Sequence, residues 1–300
     1  MPVVVVTDSS ACIAPEVAQR YGIRVVPLHV LVGGSDVREG VDEMPQPLPQ
    51  GATITTSGAS PGELTEAYSR ALDESAGDGV LAVHISRQLS GTWEAGRQAA
   101  EGFGGSVRIV DSQSTAMGLG YPALAAARVA KAGGDLRAVY ERAVDVANRG
   151  RLLIMVDRLD HLRRGGRIGT AAALLGTALA MKPVLHMVDG KLVLKEKTRT
   201  ATKALAKIIE SAADYAGHGP AAVAVHHLQA PERAEEVAEA LRERIPSISE
   251  MVVSEIGAVI GTHVGPGAIG VLVCPGGADA ENMTAEPAGQ GESTHPQPEN

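Results

Sequence analysis

Hydrophobic residues recur along the first half of the chain as short β-branched runs, and these runs alternate with stretches of helical periodicity. The runs predict strands at Val3–Val6, Ile23–Val32, Val80–Ile85 and Val107–Val110. Helices with one apolar face are predicted between and after them, at about Pro15–Tyr21, Leu64–Ser75, Glu94–Ala100, Thr115–Lys131 and Leu136–Asn148. A regular alternation of strand and helix predicts a largely parallel sheet.

The pattern changes near residue 150. Asp189 and Gly190 stand between two alternating apolar runs, which is a strong signal for a type I′ hairpin. A hairpin combined with βα units predicts a mixed sheet. Its strands are predicted at Leu152–Val156, Pro183–Val188, Lys191–Lys195, Ala221–His226, Met251–Ile256 and Ala268–Cys274, and its helices at about Thr170–Ala180, Ala201–Tyr215 and Pro231–Ile245.

We therefore predict an α/β protein of two domains. Residues 1–149 form a mostly parallel α/β/α sandwich, and residues 150–276 form an α+β domain with a mixed sheet. The polar, proline-rich stretch Asp36–Gly51 is predicted to be a loop. Residues 277–300 are rich in Pro, Gly and Glu and contain no Lys or Arg, so we predict a disordered acidic tail.

Composition limits the classes of function. The net charge is −8 and aromatic residues make up 2% of the chain, which argues against a nucleic-acid partner. Cys12 and Cys274 are far apart and outside any CxxC spacing, which favours a reduced, cytoplasmic protein with incidental thiols. The first residues lack the basic flank and apolar length of a signal peptide or membrane span, so no stable membrane insertion is expected.

A candidate anion site follows the predicted strand Val80–Ile85. There the chain turns through Ser86, Ser90, Gly91 and Thr92 into a helix. The unpaired amides of a helix N-terminus attract negative charge, and the two hydroxyls that flank Gly91 either cap the helix or donate to an oxyanion. The alternative is a plain turn with an N-cap serine.

Two further hydroxyl clusters lie in the first half. Thr7–Ser10 follows the first strand, where open α/β sheets bind ligands, but the same residues also suit helix capping. Ser60, Pro61 and Glu63 have the spacing of a capping box. The hydroxyls just before them, Thr55, Thr56 and Ser57, exceed what a cap requires.

Basic and histidine residues add candidates in the second half. Arg163, Arg164 and Arg167 form a cluster beside two glycines, which is either a solvated helix end or a contact for phosphate or a partner. His263 is predicted to lie on a glycine-rich loop, with a structural role or beside a head-group site. His226 and His227 have no spaced third ligand, which argues against a metal site, and no P-loop pattern is present.

Taken in order, these segments resemble the DegV family of bacterial fatty-acid-binding proteins. Each segment alone is weakly specific, but the ordered set over roughly residues 3–275 is specific. One departure is that Gly58-Ala59 stands where the family more often has Gln-Pro. The matching segments are Thr7–Ser10, Thr56-Ser57, Ser60–Glu63, Ser86–Thr92, Asp111-Ser112, Leu162–Ile168, Lys182-Pro183, Asp189–Lys191 and Thr262–Gly267.

The resemblance implies two α/β domains with a long-chain fatty acid in a buried tunnel. It implies that Thr56 and Ser90 hold the carboxylate, with Ser57, Gly91 and His263 as neighbours. It also implies a non-catalytic role, in which the protein presents its lipid to a separate ATP-binding kinase subunit that forms an acyl phosphate. Arg167 and Arg199 are the expected contacts for phosphate or that partner.

A fatty acid suits the residues as well as the resemblance, because burying an acyl chain yields roughly 0.8 kcal/mol per methylene. No cofactor or metal is expected besides this ligand. Two alternatives remain open at this point. One is a small-molecule hydrolase that uses a Ser/His pair, built from Ser90, His263 and Asp8. The other is a carrier of another amphiphile without a kinase partner.

Overall fold

The computed structural model describes residues 2–43, 54–168 and 181–278. The predicted helix 170–180 and the predicted tail from residue 279 onwards lie outside these ranges, as does the predicted loop from residue 44 onwards. The strands are β1 Val4–Asp8, β2 Arg24–Val26, β3 His29–Val32, β4 Ser35–Arg38, β5 Ile54–Ser57, β6 Val80–His84, β7 Val107–Asp111, β8 Arg151–Met155, β9 Lys182–Val188, β10 Lys191–Thr198, β11 Ala221–His227, β12 Ile248–Glu255 and β13 Ile269–Pro275. The helices are α1 Pro15–Tyr21, α2 Pro61–Ser75, α3 Thr92–Ala100, α4 Met117–Lys131, α5 Leu136–Arg149, α6 Asp160–Arg164, α7 Ala201–Ala216, α8 Pro231–Arg244 and α9 Ala258–Val264.

Three sheets organise these elements. The first is parallel, with strand order β2-β1-β6-β7, and the second is mixed, with order β10-β9-β8-β13-β11-β12. In the second sheet only β11 and β12 run parallel, joined by α8. A small antiparallel sheet, β4-β3-β5, adds a third. The predicted α/β class, with a parallel sheet followed by a mixed one, is therefore confirmed.

Alternating strand residues divide the core into layers. In the first sheet Val5, Leu81 and Val83 pack with α4 and α5, whereas Val6 and Ala82 face α2 on the opposite side. The α4–α5 pair also packs on the second sheet, whose other face is covered by α7 and α8. Both sheets therefore share one layer of helices. The domain boundary at residues 149 and 150 stays a prediction.

The predicted strand Ile23–Val32 is wrong as a single element. It is divided at Pro27 into β2, which joins the parallel sheet, and β3, which joins the antiparallel sheet. Proline has no N–H for a strand ladder, and the next amide, that of Leu28, donates to Ser9 Oγ instead of to a strand. The predicted loop is also partly wrong, because β4 occupies Ser35–Arg38.

Local turn and cap signals are confirmed. Asp189 and Gly190 have positive φ values of 48° and 78°, as a type I′ hairpin requires, and β9 and β10 pair across them. Ser60 accepts from the amide of Glu63, and the Glu63 carboxylate accepts from the amide of Ser60, which completes the capping box of α2.

Asp8 is fully buried. The sequence left ligand binding and helix capping open for Thr7–Ser10, and Asp8 performs the capping role. Its Oδ1 accepts from the amide and hydroxyl of Ser10, and its Oδ2 accepts from the amide of Ile85 at 2.9 Å. His84 Nδ1 lies 3.0 Å from Oδ2, and His84 Nε2 lies 2.7 Å from the hydroxyl of Tyr68. Burial raises the pKa of Tyr68, so this hydroxyl donates to the imidazole. Asp8 thus anchors the start of the Ser86–Thr92 loop.

His226 is a buried core histidine that joins α4 to the second sheet. Its Nε2 accepts from the amide of Met117 at 3.2 Å, and its Nδ1 lies 3.0 Å from Ser254 Oγ. Burial lowers the pKa of His226 to about 4, so the ring is neutral near pH 7 and free to accept. Within the described ranges, no three side chains of the metal-binding types come close enough to share an ion.

Cys12 and Cys274 are both free thiols. Across the described residues, every helix is too short or too polar to cross a bilayer.

Candidate ligand-binding site

An apolar cavity lies where the two sheets and the antiparallel sheet meet, and we call it the main cavity. Its walls come from both halves of the chain. The apolar part of the lining comprises Leu28, Ile85, Leu89, Ile154, Leu162, Leu192, Val259, Ile260 and Val264. The polar part comprises Thr56, Ser57, Ser90, Thr115, Arg167 and His263, together with the backbone of Gly58 and Gly91. Such a cavity suits a ligand with a long apolar body and a small polar head.

Thr56 and His263 meet at one side of this cavity. Thr56 lies on β5 and His263 on α9, and Thr56 Oγ1 is 2.7 Å from His263 Nε2. Burial, and after it the charge of Arg167, lowers the pKa of His263 to about 4. The ring is therefore neutral near pH 7. If Nε2 carries the proton, it donates to Thr56 Oγ1 and leaves the threonine hydroxyl free to donate to a ligand.

Ser90 and Thr92 form the second pair of hydroxyls. Ser90 Oγ lies 2.9 Å from Thr92 Oγ1 and accepts from the amide of Thr92 at 3.3 Å. The N-cap of α3 is Gly91, so the alternative of an N-cap serine is wrong in detail. If Thr92 is the donor in the first of these contacts, Ser90 keeps its hydroxyl proton for a ligand.

Gly58 brings the two hydroxyl pairs together. A Cβ at this position would lie 2.5 Å from Thr92 Oγ1 and 3.0 Å from Ser90 Oγ. Only glycine allows β5 to approach the start of α3 this closely.

Backbone amides add to the donors at this end of the cavity. Among the described residues, the N–H groups of Gly91, Trp93 and Glu94 at the start of α3 have no hydrogen-bond partner. Free amides in the first turn of a helix favour an anion. Anion binding by this turn stays a prediction.

The predicted basic residues divide into two groups. Arg167 lines the main cavity, and its Nε donates to the carbonyl of Leu89 at 3.0 Å, so it also supports the Ser86–Thr92 loop. Arg163 and Arg164 are exposed near the end of α6. Arg199 is exposed just before α7 and lines neither the main cavity nor the groove described next.

We call the end of the main cavity that contains Thr56 and Ser90 the head-group end. An open groove lies outside this end, and we call it the outer groove. It shares Thr56, Arg167 and His263 with the main cavity, so these three side chains stand between the two. Its other polar residues include His161 and Arg164. A ligand head held at Thr56 is thereby close to a cationic, solvent-facing surface.

The predicted loop at His263 is wrong. Residues Ala258–Val264 form the helix α9, whereas the glycines around it predicted a loop. Gly58 and Thr115 also line the main cavity, and no sequence pattern indicated a role for either residue. The signal available for α9 was the apolar pair Val259-Ile260, which one turn of helix places beside Val264.

The geometry contradicts the Ser/His/Asp alternative. Asp8 is buried against His84 and Ile85, and His263 pairs with Thr56. A catalytic triad needs the acid on the histidine and the histidine on the serine. Neither contact is present among these residues.

Gly165 has no side chain and therefore leaves room for the imidazole ring of His263 beside Thr56. A Cβ there would lie 2.2 Å from His263 Nδ1 and 2.9 Å from Cε1. Its φ of −70° suits alanine, so the obstacle is steric rather than conformational. We expect Gly165→Ala to push the ring away from Thr56 and to weaken ligand binding about tenfold or more, as measured by titration calorimetry with a fatty acid.

A matched variant isolates that effect. Gly62→Ala adds the same methyl group in the first turn of α2, where the nearest atom is 4.0 Å away, and should leave affinity unchanged. In a double-mutant cycle, adding Gly165→Ala to His263→Ala should cost no further affinity. An unchanged affinity in the Gly165→Ala single variant would contradict this role.

The fold and the cavity together define an α/β ligand-binding protein. The family model for the DegV family matches residues 2–276, and the chain belongs to the DegV family. A DegV domain-containing protein of Mycobacterium tuberculosis is 49% identical over 273 residues, covering 91% of this chain and 97% of that relative.

Solved structures agree with this assignment. A DegV family protein from Thermus thermophilus, described by its fatty acid binding, has a TM-score of 0.84 and 33% identity, covering 92% of this chain and 100% of its own. DegV from Bacillus subtilis, a fatty acid binding protein, has a TM-score of 0.81 and 33% identity, covering 91% and 99%. These neighbours are described by what they bind rather than by a reaction.

Proposed function

We propose that this protein binds one long-chain fatty acid in the main cavity and presents it to a separate ATP-dependent kinase subunit. The observation that carries the proposal is the junction of an apolar cavity with two hydroxyls, those of Thr56 and Ser90. The fatty acid binding of the related proteins supports the ligand class.

The polar end of the cavity suits a carboxylate. With the Nε2–H tautomer of His263 donating to Thr56, and the amide of Thr92 donating to Ser90, both hydroxyls turn their protons to the ligand. Ser57 and Gly91 lie beside them. The apolar walls supply most of the binding free energy, because each buried methylene contributes roughly 0.8 kcal/mol.

Presentation to a partner follows from the outer groove. The carboxylate site opens there beside Arg164 and Arg167, and guanidinium groups bind phosphate oxygens well. A kinase subunit that covers this groove brings its nucleotide to the carboxylate. Attack of the carboxylate oxygen on the γ-phosphorus then breaks the bond to ADP and forms an acyl phosphate. The exposed Arg199 is proposed to contact the partner rather than the lipid.

Mass spectrometry of the purified protein tests the proposal directly. We expect native spectra to show one added mass per chain and solvent extraction to release a fatty acid. On addition of ATP and the ATP-binding subunit of a bacterial fatty acid kinase, hydroxylamine should then trap the lipid as a hydroxamate.

The outcomes separate the candidate functions. An empty protein that also fails to take up added fatty acid contradicts the ligand assignment. A loaded protein that yields no hydroxamate with the kinase subunit, while a known lipid-presenting subunit does, contradicts presentation and supports a simple carrier. Consumption of lipid by the protein alone would support an enzyme.

A further inference from the structure

A second, smaller cavity adjoins the main one, and we call it the inner cavity. The two share Thr115, Ile154, Ile260 and Val264, so these residues form their common boundary. Unlike the head-group end, the inner cavity has no arginine or lysine among its described lining residues. An acyl chain that extends from Thr56 and Ser90 beyond the main cavity therefore passes Thr115.

Thr115 is a polar residue in an otherwise apolar boundary. Its side chain is 7% exposed, and its hydroxyl is buried without any hydrogen-bond partner among the described residues. The backbone carbonyl of Thr115, in contrast to its hydroxyl, has a partner, because it accepts from the amide of Gly118. Buried hydroxyls are normally hydrogen-bonded. A hydroxyl that loses its contacts with water on burial and gains no new partner destabilises the protein.

Neighbouring polar groups do not satisfy this hydroxyl. Ser112 donates to the carbonyl of Ser114, and that same carbonyl accepts from the amide of Ser86. The two nitrogens of His226 are occupied by Met117 and Ser254. The Thr115 hydroxyl is therefore available to whatever occupies the cavity.

We propose that Thr115 is a specificity-determining residue that selects acyl chains carrying an oxygen substituent along the chain, as in hydroxy or oxo fatty acids. The inference rests on the proposed function, because it requires a fatty acid with its carboxylate at Thr56 and Ser90. An oxygen at the depth of Thr115 pairs with the hydroxyl, whereas a plain hydrocarbon leaves it unsatisfied. The distance from the carboxylate to Thr115 fixes which carbon must carry the oxygen.

Competition binding with a positional series tests this proposal. The probes are stearic acid and octadecanoic acids hydroxylated at successive mid-chain carbons, each measured against the delipidated full-length protein. We expect one position, or two adjacent ones, to bind about tenfold more tightly than stearic acid, which is the effect of one additional hydrogen bond. Positions nearer to either end should show no gain.

Two valine variants test which residue causes the preference for hydroxylated chains. Thr115→Val keeps the shape of the side chain and removes the hydroxyl, so it should abolish the preference for the hydroxylated isomers over stearic acid. Thr7→Val is the matched control, because Thr7 has the other buried threonine hydroxyl without a partner in the described part of the chain but lines neither cavity. It should retain the full preference.

The outcomes distinguish this inference from the proposed function. If stearic acid binds tightly but no hydroxylated isomer binds better, Thr115 does not select oxygenated chains. If a preference exists and Thr115→Val retains it, another residue is responsible and the assignment is wrong. If no fatty acid binds at all, the proposed function fails together with this inference.

Discussion

Replacing Thr56 and Ser90 together by alanine is expected to yield a folded protein that purifies without lipid. Each substitution removes a hydroxyl that donates to the carboxylate in the proposed complex. Hydrogen bonds to a charged group contribute about 1.5–3 kcal/mol each. Losing both should therefore weaken fatty acid binding at least about a hundredfold. The single variants should show intermediate losses.

The measurement is lipid content by extraction and mass spectrometry, followed by titration with added fatty acid. Thr65→Ala combined with Ser69→Ala is the matched control, because it makes the same chemical changes on the exposed face of α2. Circular dichroism verifies the fold of both double variants. Unchanged lipid content in a folded Thr56→Ala/Ser90→Ala protein would show that the carboxylate lies elsewhere.

Asp8→Ala should cause the largest loss of stability among single substitutions near the site. The variant leaves the amide of Ile85 and the imidazole of His84 buried without their acceptor. Leaving a buried donor without its acceptor costs about 1–3 kcal/mol, so the loss of both contacts should cost about 2–6 kcal/mol. We expect the free energy of unfolding, measured by urea denaturation, to fall by that amount.

The control is Asp42→Ala, which removes an exposed carboxylate paired with Arg38 and should leave the urea midpoint close to that of the wild type. Asp8→Asn, which keeps the size of the side chain, should fall between Asp8→Ala and the wild type. Because Asp8 also anchors the loop that contains Ser90, lipid affinity should decrease along the same series. A stable Asp8→Ala protein would contradict the anchoring role.

The sequence was most informative where a short segment determines its own conformation. The capping box at Ser60 and the hairpin at Asp189-Gly190 depend on residues within four positions of each other. Their interactions are the same in almost any fold, and both predictions are confirmed. The alternation of strands and helices likewise determined the α/β class.

The errors arose where tertiary partners decide the structure. Ile23–Val32 has the composition of one strand, but Pro27 interrupts it and two different sheets take up its halves. The segment before Gly265 has too many glycines to predict a helix. Its apolar residues nevertheless pack as α9 against the main cavity. Packing of this kind overrides local preference.

The sequence patterns indicated Thr56, Ser90 and His263 as separate candidates, and only the family resemblance placed them in one site. Thr56 and His263 are separated by 207 positions, and no spacing rule brings them together. The resemblance named both residues, whereas their contact, the role of Gly165 and the unpaired hydroxyl of Thr115 depend on coordinates. The roles of these residues in ligand binding stay predictions, and the experiments above test them.

The residues that line the main cavity are spread along the chain from Leu28 to Val264. A ribosome-bound chain cannot enclose a ligand until nearly all of its sequence has emerged, so loading follows synthesis. A ligand that binds only the completed fold adds its binding free energy to that fold, about 2.7 kcal/mol when its free concentration is 100 times the Kd. Empty chains are correspondingly easier for proteases to degrade. The abundance of the protein should therefore follow the supply of its ligand.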